Sequence, residues 1–171
     1  RAVHSYLIAR FEYSDADANK VTKTFKAGVA STLRMGSEEL VLKELLKVPV
    51  EGLDNSAVEE LHRFAVTQAM YYTKVQTRQA MQSLIHNLNT MHSRAGAQVP
   101  FSSINYGTDT SAEGRLVIRN ILEATIDGLG AGETPIFPVQ IFKVKEGVNF
   151  NEGDPNYDLF RLSCKVSAKR L

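Results

Sequence analysis

The sequence predicts an α/β fold, in which a helical region is followed by two parallel strands and the helices that cover them. Apolar residues recur at helical spacing through most of residues 1–92. After residue 100 the pattern changes to strand, helix, strand, helix, which is the order typical of a parallel sheet. The chain of 171 residues is 43% hydrophobic and 23% charged, which fits a single globular domain and excludes a disordered chain.

The first half is predicted to be helical from its capping residues and apolar stripes. Residues 1–10 give mixed signals that fit either a short strand or the first turns of a helix. Asp15 and Asp17 are typical of a helix start, and the helix that follows them carries one apolar stripe. The stripe consists of Val21, Phe25, Val29 and Leu33. A further helix is predicted to begin at Ser37, which can cap it.

The longest helical pattern covers residues 55–92. Asn55 or Ser56 can cap its start, and Glu59 completes the spacing of a capping box with Ser56. Residues 73–77 are rich in β-branched side chains, which lower helix propensity. We therefore expect a kink or a break there, so that this stretch forms two helices end to end or one bent helix.

The second half contains four predicted elements. They are a strand at residues 101–106, a helix at 112–129, a strand at 136–145 and a helix at 157–169. Thr110 or Ser111 is expected to cap the first of these helices. The second strand is apolar on both faces near its start, as a strand covered by helices should be. We expect the two strands to be parallel neighbours joined by a right-handed crossover.

A junction of small residues connects the long helix to the first strand. Gly96 lets another group come close to the backbone, and Ala95 and Ala97 keep that approach open. Pro100 ends any helix and favours an extended conformation before it. The junction can hold a ligand against backbone, or it can be a tight turn with no other role. Spacing alone favours the tight turn.

Charge and cysteine content exclude several classes of protein. The net charge is +1, which gives no electrostatic basis for nucleic-acid binding. The apolar runs are too short to cross a bilayer, and we expect no signal peptide. Cys164 is the single cysteine, which excludes an internal disulfide and a cysteine metal cluster and fits a reducing, cytosolic setting. On the last helix Cys164 is expected to be a small buried hydrophobic residue.

The polar residues form no recognisable catalytic or metal-binding motif. His86 and His92 are not spaced to share a helix face as a metal pair would, so hydrogen-bonded histidines at a helix end are the better interpretation. The serines have no histidine and carboxylate pattern that would activate them. The segment GLGAGE at residues 128–133 lacks the Gly-Lys-Ser/Thr ending of a phosphate loop. No metal site is predicted.

Three segments of the chain nevertheless resemble a known family. Residues 93–111 read SRAGAQVPFSSINYGTDTS, and residues 132–171 read GETPIFPVQIFKVKEGVNFNEGDPNYDLFRLSCKVSAKRL. Both resemble the anaerobic (class III) ribonucleoside-triphosphate reductases, and FEYSDADANKVTKTFKAG at residues 11–28 is similar more loosely. The family consists of glycyl-radical enzymes built on a ten-stranded α/β barrel, so the resemblance implies that this chain is an internal fragment carrying a partial arc of that barrel.

The resemblance also implies a division of the chain. Residues 1–54 would be a helical region, with a part in an effector site or dimer interface. Residues 55–171 would be the long helix and the β-α-β-α part of the catalytic barrel. The implied reaction is the reduction of ribonucleoside triphosphates to 2′-deoxyribonucleoside triphosphates by a radical mechanism, which serves DNA replication.

Site residues follow from the resemblance position by position. The substrate-binding candidates are Ser93, Arg94, Ala95, Gly96 and Gln98, with Ser102 and Ser103 as further lining residues. The effector-binding candidates, where the similarity is weaker, are Glu12, Lys23 and Lys26. No catalytic residue is expected in this segment, because the family's radical cysteine and glycyl loop lie beyond it. The isolated chain is therefore expected to be inactive.

Cofactors and partners are implied in the same way. The family uses a glycyl radical, generated by an iron-sulfur and S-adenosylmethionine activating enzyme, and a structural zinc elsewhere in the chain. Its partners are the substrate and effector nucleotides, the activating enzyme and a second copy in a homodimer, in the cytoplasm. The reductant, formate or a thiol protein, stays open. Two alternatives also remain: another glycyl-radical barrel enzyme such as an acyl-lyase type, and a non-catalytic nucleotide-binding module.

Overall fold

The computed structural model describes residues 1–29, 50, 52–91 and 98–170, of which 28 and 29 are described by their backbone only. These ranges contain five helices and two strands in two compact units, Arg1–Thr73 and Lys74–Leu171. The elements are α1 (Ala2–Phe11), α2 (Asp15–Val29), α3 (Asn55–Thr90), β1 (Ser103–Tyr106), α4 (Ala112–Asp127), β2 (Val139–Phe142) and α5 (Tyr157–Arg170). The helix predicted at Ser37 lies outside the described residues.

The start of α2 is capped by Ser14, which directly precedes the predicted helix-start residues Asp15 and Asp17. The Ser14 hydroxyl accepts a hydrogen bond from the Asp17 backbone N–H at 3.2 Å and donates to the Asp17 carboxylate at 2.6 Å. This satisfies one of the backbone donors that a helix leaves unpaired at its N-terminus. The preceding helix, α1, resolves the mixed signals of residues 1–10 in favour of a helix. The residue that follows it, Glu12, has the left-handed conformation with φ 56°.

Two apolar clusters hold the first unit together. One contains Leu7, Ala18, Val50, Val58 and Leu61, and the other contains Phe25, Ala65, Val66 and Met70. Phe25 belongs to the predicted stripe of α2 and is buried as expected, while the side chains of Val29 and Leu33 are not described.

His62 is a polar residue within this apolar setting. It is fully buried and stacks on Phe25 with ring centroids 5.2 Å apart. Neither ring nitrogen has a hydrogen-bond partner among the described residues. Burial therefore lowers the pKa of His62, because the charged form loses its hydration and gains nothing in return.

Helix α3 is continuous, so of the two predicted alternatives two helices end to end are wrong, while a bend at residues 73–77 stays a prediction. The helix runs without interruption for 36 residues. The Thr73 hydroxyl donates to the Ala69 carbonyl oxygen at 2.8 Å, so this β-branched residue is accommodated within the helical hydrogen-bond pattern. The propensity cost of such residues is only a few tenths of a kcal/mol each, roughly, which a long packed helix tolerates.

The cap of α3 also differs from the prediction. Asp54, and neither Asn55 nor Ser56, supplies the capping oxygen: its carboxylate accepts from the Ala57 backbone N–H at 2.8 Å. Both of the predicted residues lie inside the helix, so the expected capping box with Glu59 is absent from its described start. The two compact units meet within α3, between Thr73 and Lys74. The predicted division into residues 1–54 and 55–171, with the roles assigned to each, stays a prediction.

The second unit contains the predicted parallel pair. Strands β1 and β2 are hydrogen-bonded neighbours in parallel register, with Ser103 opposite Val139 and Tyr106 opposite Phe142, and α4 lies between them in the chain. This confirms the β-α-β order, although each strand has four residues and is shorter than predicted. The handedness of the crossover stays a prediction.

Hydrogen bonds at both ends of α4 explain where it begins and ends. Ser111, one of the two predicted caps, accepts from the Gly114 N–H at 3.0 Å. At the C-terminal end, the Arg170 guanidinium of α5 donates to the backbone carbonyl oxygens of Thr125 and Ile126. A cation placed there is also favoured by the helix dipole, so α5 is fixed to α4 by this residue.

The two-stranded sheet has one covered face and one uncovered face. The covered face packs against α4, α5 and α3 and consists of Ile104, Tyr106, Gln140 and Phe142. The uncovered face consists of Ser103, Asn105, Val139 and Ile141, all exposed in the described part of the chain. The helices expected to cover β2 are therefore present on one of its faces in the described residues, and the apolar side chains of the other face, Val139 and Ile141, are exposed.

Two further expectations about side chains and helices can be checked. Cys164 is exposed on α5, whereas Leu159 and Val166 are the buried residues of that helix. The prediction of a buried cysteine is wrong, because the side of α5 that packs on the core carries Leu159 and Val166, and Cys164 does not lie on that side. In the described part of the chain, no helix combines the length and the apolar surface needed to span a bilayer.

Candidate functional site

Three of the predicted substrate-binding residues, Gln98, Ser102 and Ser103, are described by the structure, at and just before the start of β1. Ser93, Arg94, Ala95 and Gly96 fall outside the described residues. Gln98 is exposed, and Ser103 is the first residue of β1 on the uncovered face. Ser102 is half-buried, and its hydroxyl oxygen is buried without a hydrogen-bond partner among the described residues. Its backbone carbonyl accepts from the Val139 N–H at 2.9 Å, which fixes it to the start of β2.

The uncovered face combines polar and apolar side chains in register. Ser103 pairs with Val139, and Asn105 pairs with Ile141. Hydroxyl and carboxamide groups on one strand therefore lie beside aliphatic surface on the next, a combination typical of small-molecule sites. Asn105 was not among the predicted site residues. Its two-residue spacing from Ser103 is the signal that identifies it, since alternate residues of a strand share a face.

Asn89 holds the end of α3 against the segment that leads into β2. Its Nδ2 donates to the carbonyl oxygens of Ile85 at 2.6 Å and Phe137 at 2.5 Å. Its Oδ1 accepts from the backbone N–H groups of Ile136 at 2.8 Å and Phe137 at 3.0 Å. The exit of the long helix is thus fixed next to the entry of the second strand. Sequence reasoning did not identify this residue.

The carboxyl ends of both strands are held by two fully buried asparagines. Asn149 donates to the carbonyl oxygens of Gly107 and Lys143, both at 2.9 Å, and accepts from the Lys145 N–H at 2.8 Å. Asn156 donates to Gly107 at 3.1 Å and Asp109 at 2.7 Å. Gly107 and Lys143 are the first residues after the last pair, Tyr106 and Phe142, and Asp109 and Lys145 follow two residues later. The asparagine pair therefore closes this end of the sheet.

Gly107 and Arg115 complete the arrangement at this end. Gly107 has φ +121°, and a Cβ there would lie 2.7 Å from the Lys143 carbonyl oxygen, so only glycine fits. Arg115 donates to the Asn156 side-chain oxygen at 2.6 Å and to both Asp158 carboxylate oxygens at 3.0 Å. These contacts connect α4 and α5 to the strand ends through a satisfied polar network.

A second set of side-chain hydrogen bonds connects the covered face of the sheet to α4. The Tyr106 hydroxyl donates to the Gln140 side-chain oxygen, and Gln140 donates to the Thr125 hydroxyl at 2.7 Å. Burial raises the pKa of Tyr106, because a phenolate would lose its hydration. Tyr106 is therefore a neutral hydrogen-bond donor that fixes the sheet on its helix.

The effector candidates are not brought together as a group. Glu12 lines a pocket of about 450 Å³ in the first unit, together with Tyr13, Asp17, Lys20 and Gly52. Lys23 and Lys26 are exposed on α2 and are not part of its lining. Their assignment to effector binding stays a prediction. Across the described ranges, no group of three or more histidine, cysteine, aspartate or glutamate side chains is arranged to hold a metal ion.

The parallel strand pair, the helices on one of its faces and the polar groups on the other define an α/β protein with a candidate site at the sheet. The family model of anaerobic ribonucleoside-triphosphate reductase matches residues 11–171. The chain therefore belongs to the anaerobic ribonucleoside-triphosphate reductase family. This match supports the reductase interpretation over the alternatives of another glycyl-radical enzyme or a non-catalytic module.

Three curated relatives carry the name anaerobic ribonucleoside-triphosphate reductase. The protein of Haemophilus influenzae is 34% identical over 90% of this chain and 22% of its own length. That of Escherichia coli is 33% identical over 92% of this chain and 23% of its length. That of Enterobacteria phage T4 is 32% identical over 90% of this chain and 26% of its length. The chain thus spans about a quarter of these relatives.

Proposed function

We propose that this chain is the substrate-pocket segment of an anaerobic ribonucleoside-triphosphate reductase, an oxidoreductase that makes deoxyribonucleotides. Family membership over residues 11–171 supports the proposal, as does the shared name of the relatives from two bacteria and a phage. The substrates would be ribonucleoside triphosphates. The protein would act in the cytoplasm, a reducing setting that its single cysteine, Cys164, fits.

The uncovered face of the β1–β2 pair is the observation that carries the proposal. Parallel strands with helices on one side and a free, mixed polar and apolar face on the other are what an arc of an α/β barrel presents to its interior. In the proposed ten-stranded barrel, Ser103 and Asn105 would face the substrate. In the sequence, the junction at residues 93–98 precedes β1 by four residues.

The proposed reaction replaces the ribose 2′-hydroxyl by hydrogen. Two electrons and two protons are consumed and one water is released, and formate or a thiol protein would supply the electrons. The glycyl radical formed by the activating enzyme would supply the radical chemistry from outside this segment, and a structural zinc would also lie elsewhere. Effector nucleotides at Glu12, Lys23 and Lys26, and a homodimer, belong to the same proposal.

The residues of this chain would bind and orient the nucleotide and exclude water. The Ser103 hydroxyl and the Asn105 carboxamide can both donate and accept hydrogen bonds, so they suit the polar groups of a ribose or base. Val139 and Ile141 on the neighbouring strand would shield that contact from solvent. Gly96 would allow the substrate to approach the backbone of the junction, where a side chain would obstruct it.

The decisive variant is Gly96→Val in the complete enzyme, with Gly147→Val as the control. Gly147 lies in a loop at φ +75° with open space around the position of a Cβ, so its variant reports the effect of backbone strain alone. We expect Gly96→Val to weaken the binding of ribonucleoside triphosphates by about tenfold or more at an unchanged melting temperature. Gly147→Val should retain normal affinity.

Both quantities are measured on the same preparations, by titration with ATP, CTP, GTP and UTP and by thermal unfolding. The proposal fails if Gly96→Val lowers the melting temperature, by the equivalent of about 1 kcal/mol or more, while the folded fraction binds every nucleotide normally. In that case residues 93–98 are only a turn.

A further inference from the structure

We propose that the loop between β1 and α4, residues 107–111, is a further substrate-contacting segment, and that the buried Asn156 positions it. The Asp109 carboxylate of this loop would accept hydrogen bonds from the ribose or the base of the nucleotide. The inference rests on the proposed function and extends the candidate site from the uncovered face to the carboxyl end of β1.

The loop leaves the sheet at the end where parallel sheets bind their ligands. In α/β proteins, ligands lie outside the carboxyl ends of the parallel strands. Gly107 directly follows the last paired residue of β1 and is buried. The next four residues are polar and exposed, and they are Thr108, Asp109, Thr110 and Ser111. Hydroxyl groups and a carboxylate are therefore presented beyond the strand that carries Asn105.

Buried side chains from a distant part of the sequence fix the backbone of this exposed loop. Asn156 is fully buried, and its Nδ2 donates to the carbonyl oxygens of Gly107 at 3.1 Å and Asp109 at 2.7 Å. Asn149, also fully buried, donates to Gly107 at 2.9 Å. Exposed loops are ordinarily the least stable parts of a fold, because few buried contacts hold them. The two amides give this loop a defined path, as a residue that contacts a ligand requires.

The side chain of Asp109 is held in place as well. Its Oδ1 accepts from the Ser111 N–H at 2.8 Å, which occupies one of the four acceptor positions of a carboxylate. Gly114, in the first turn of α4, leaves the space for it, since a Cβ there would overlap the carboxylate. Hydrogen bonds from Ser111 lower the pKa of Asp109, so the group is ionised at neutral pH.

The charge of Asp109 selects which part of a nucleotide it can contact. An ionised carboxylate only accepts hydrogen bonds, so it suits the hydroxyl groups of a ribose or the amino group of a base. It repels the like charge of a triphosphate. The ribose or the base is therefore the partner that we assign to this loop.

The decisive variant is Asp109→Asn in the complete enzyme, with Asp54→Asn as the matched control. The asparagine oxygen can still accept from the Ser111 N–H, so the turn is kept and the charge is removed. Asp54 makes the same kind of contact at the start of α3, where it accepts from the Ala57 N–H at 2.8 Å. We expect Asp109→Asn to raise KM for ribonucleoside triphosphates about tenfold at an unchanged melting temperature. The control should keep its KM.

Asn156→Asp tests the positioning role. The variant can still accept from the Arg115 guanidinium, which bonds to the Asn156 side-chain oxygen at 2.6 Å, but its carboxylate cannot donate to the two loop carbonyls. We expect KM to rise about tenfold, and the double variant with Asp109→Asn to be no worse than the more affected single one, because both changes act through one contact. A merely structural role would lower the amount of active enzyme and leave KM unchanged.

An unchanged KM for Asp109→Asn overturns the inference. A lowered KM also overturns it, since the carboxylate would then lie near the triphosphate. Losses in KM that multiply in the double variant, or a normal KM for Asn156→Asp, reject the positioning role. If Asn156→Asp does not fold, Asp109→Asn alone decides whether the loop contacts the substrate.

Gly96→Val, measured in parallel, separates these failures from failure of the proposed function. Weakened binding by Gly96→Val with a normal KM for Asp109→Asn rejects the loop alone. Normal binding by both variants rejects the substrate proposal and this inference with it. A raised KM for Asp109→Asn with normal binding by Gly96→Val supports the loop and confines the failure to residues 93–98.

Discussion

Replacing Asn149 by aspartate changes the strand-end network with almost no change in shape. Asn149 is fully buried, and its Nδ2 donates to Gly107 O and Lys143 O. The ionised carboxylate of the Asn149→Asp variant would turn an acceptor oxygen toward both carbonyls. Gly107 would keep its bond from Asn156, whereas Lys143 O would lose the donor that Asn149 supplies. Losing partners for buried polar groups costs about 1–3 kcal/mol each, so we expect a loss of about 3 kcal/mol at neutral pH. That is a large share of the ~5–15 kcal/mol typical of a domain.

The loss should depend on pH in a defined direction. Burial and the two facing carbonyls favour the neutral carboxyl, so the folded-state pKa of the introduced carboxyl group lies above its unfolded value of about 3.9. Below about pH 4 the carboxyl is protonated in both states and retains one donor, and the variant approaches the parent protein. Stability then falls as pH rises through the folded pKa and levels off above it.

The assay is denaturant unfolding of the 171-residue chain, followed by circular dichroism between about pH 3.5 and 8. Asn151→Asp is the control, because Asn151 lies in the same loop with an exposed side chain. It adds the same charge without burying it, so its effect should be small at every pH. Equal losses for the two variants, or a loss for Asn149→Asp that does not grow with pH, would refute the reasoning.

Three further predictions concern other parts of the chain. Gly107→Ala should destabilise more than Gly147→Ala, because both require a positive φ but only Gly107 lacks space for a Cβ; equal unfolding free energies would contradict this. Asp54→Ala should lower the free energy of unfolding by about 1 kcal/mol and Ser56→Ala should lower it little, because Asp54 is the cap of α3. A larger loss for Ser56→Ala in thermal melts would show that Ser56 is the cap, as the sequence predicted. The lowered pKa of His62 means that the unfolded chain binds a proton below about pH 6.5 while the folded protein does not, so stability should fall as pH decreases from there. His62→Phe should remove this dependence of the melting temperature on pH between about pH 5 and 8. An unchanged dependence would mean that other titratable groups cause it.

Local patterns in the sequence predicted the core of the second unit. Strand β1 was predicted from alternation, α4 from the Ser111 cap and its apolar spacing, and their order implied the parallel pairing with β2. These features depend on neighbours within a few residues, which a single sequence displays directly. The predicted strands were too long, at the start of β1 and at both ends of β2, because the sequence pattern extends beyond the residues that pair. Pairing depends on a partner elsewhere in the chain.

The residues that fix the candidate site were not predictable in the same way. Asn89, Asn149 and Asn156 look like ordinary polar residues of a helix end and a loop. Their partners lie about 40 to 50 positions away, apart from local bonds such as that of Asn89 to Ile85. Their importance comes from buried backbone groups that need partners, and only the folded chain shows which groups those are. Cys164 was misjudged for a related reason, since the direction of a helix face depends on what packs against it.

The exposure of Cys164 makes the chain easy to label and easy to damage. As the single cysteine, it offers one site for a thiol-reactive spin label or fluorophore without any mutation, on the helix that Arg170 fixes to α4. The same thiol is open to oxidants, which convert exposed cysteines to sulfenic acid or to disulfides with another thiol. In aerobic preparations of this chain two copies can therefore become covalently joined through Cys164, and a reducing agent or a Cys164→Ser variant would prevent it.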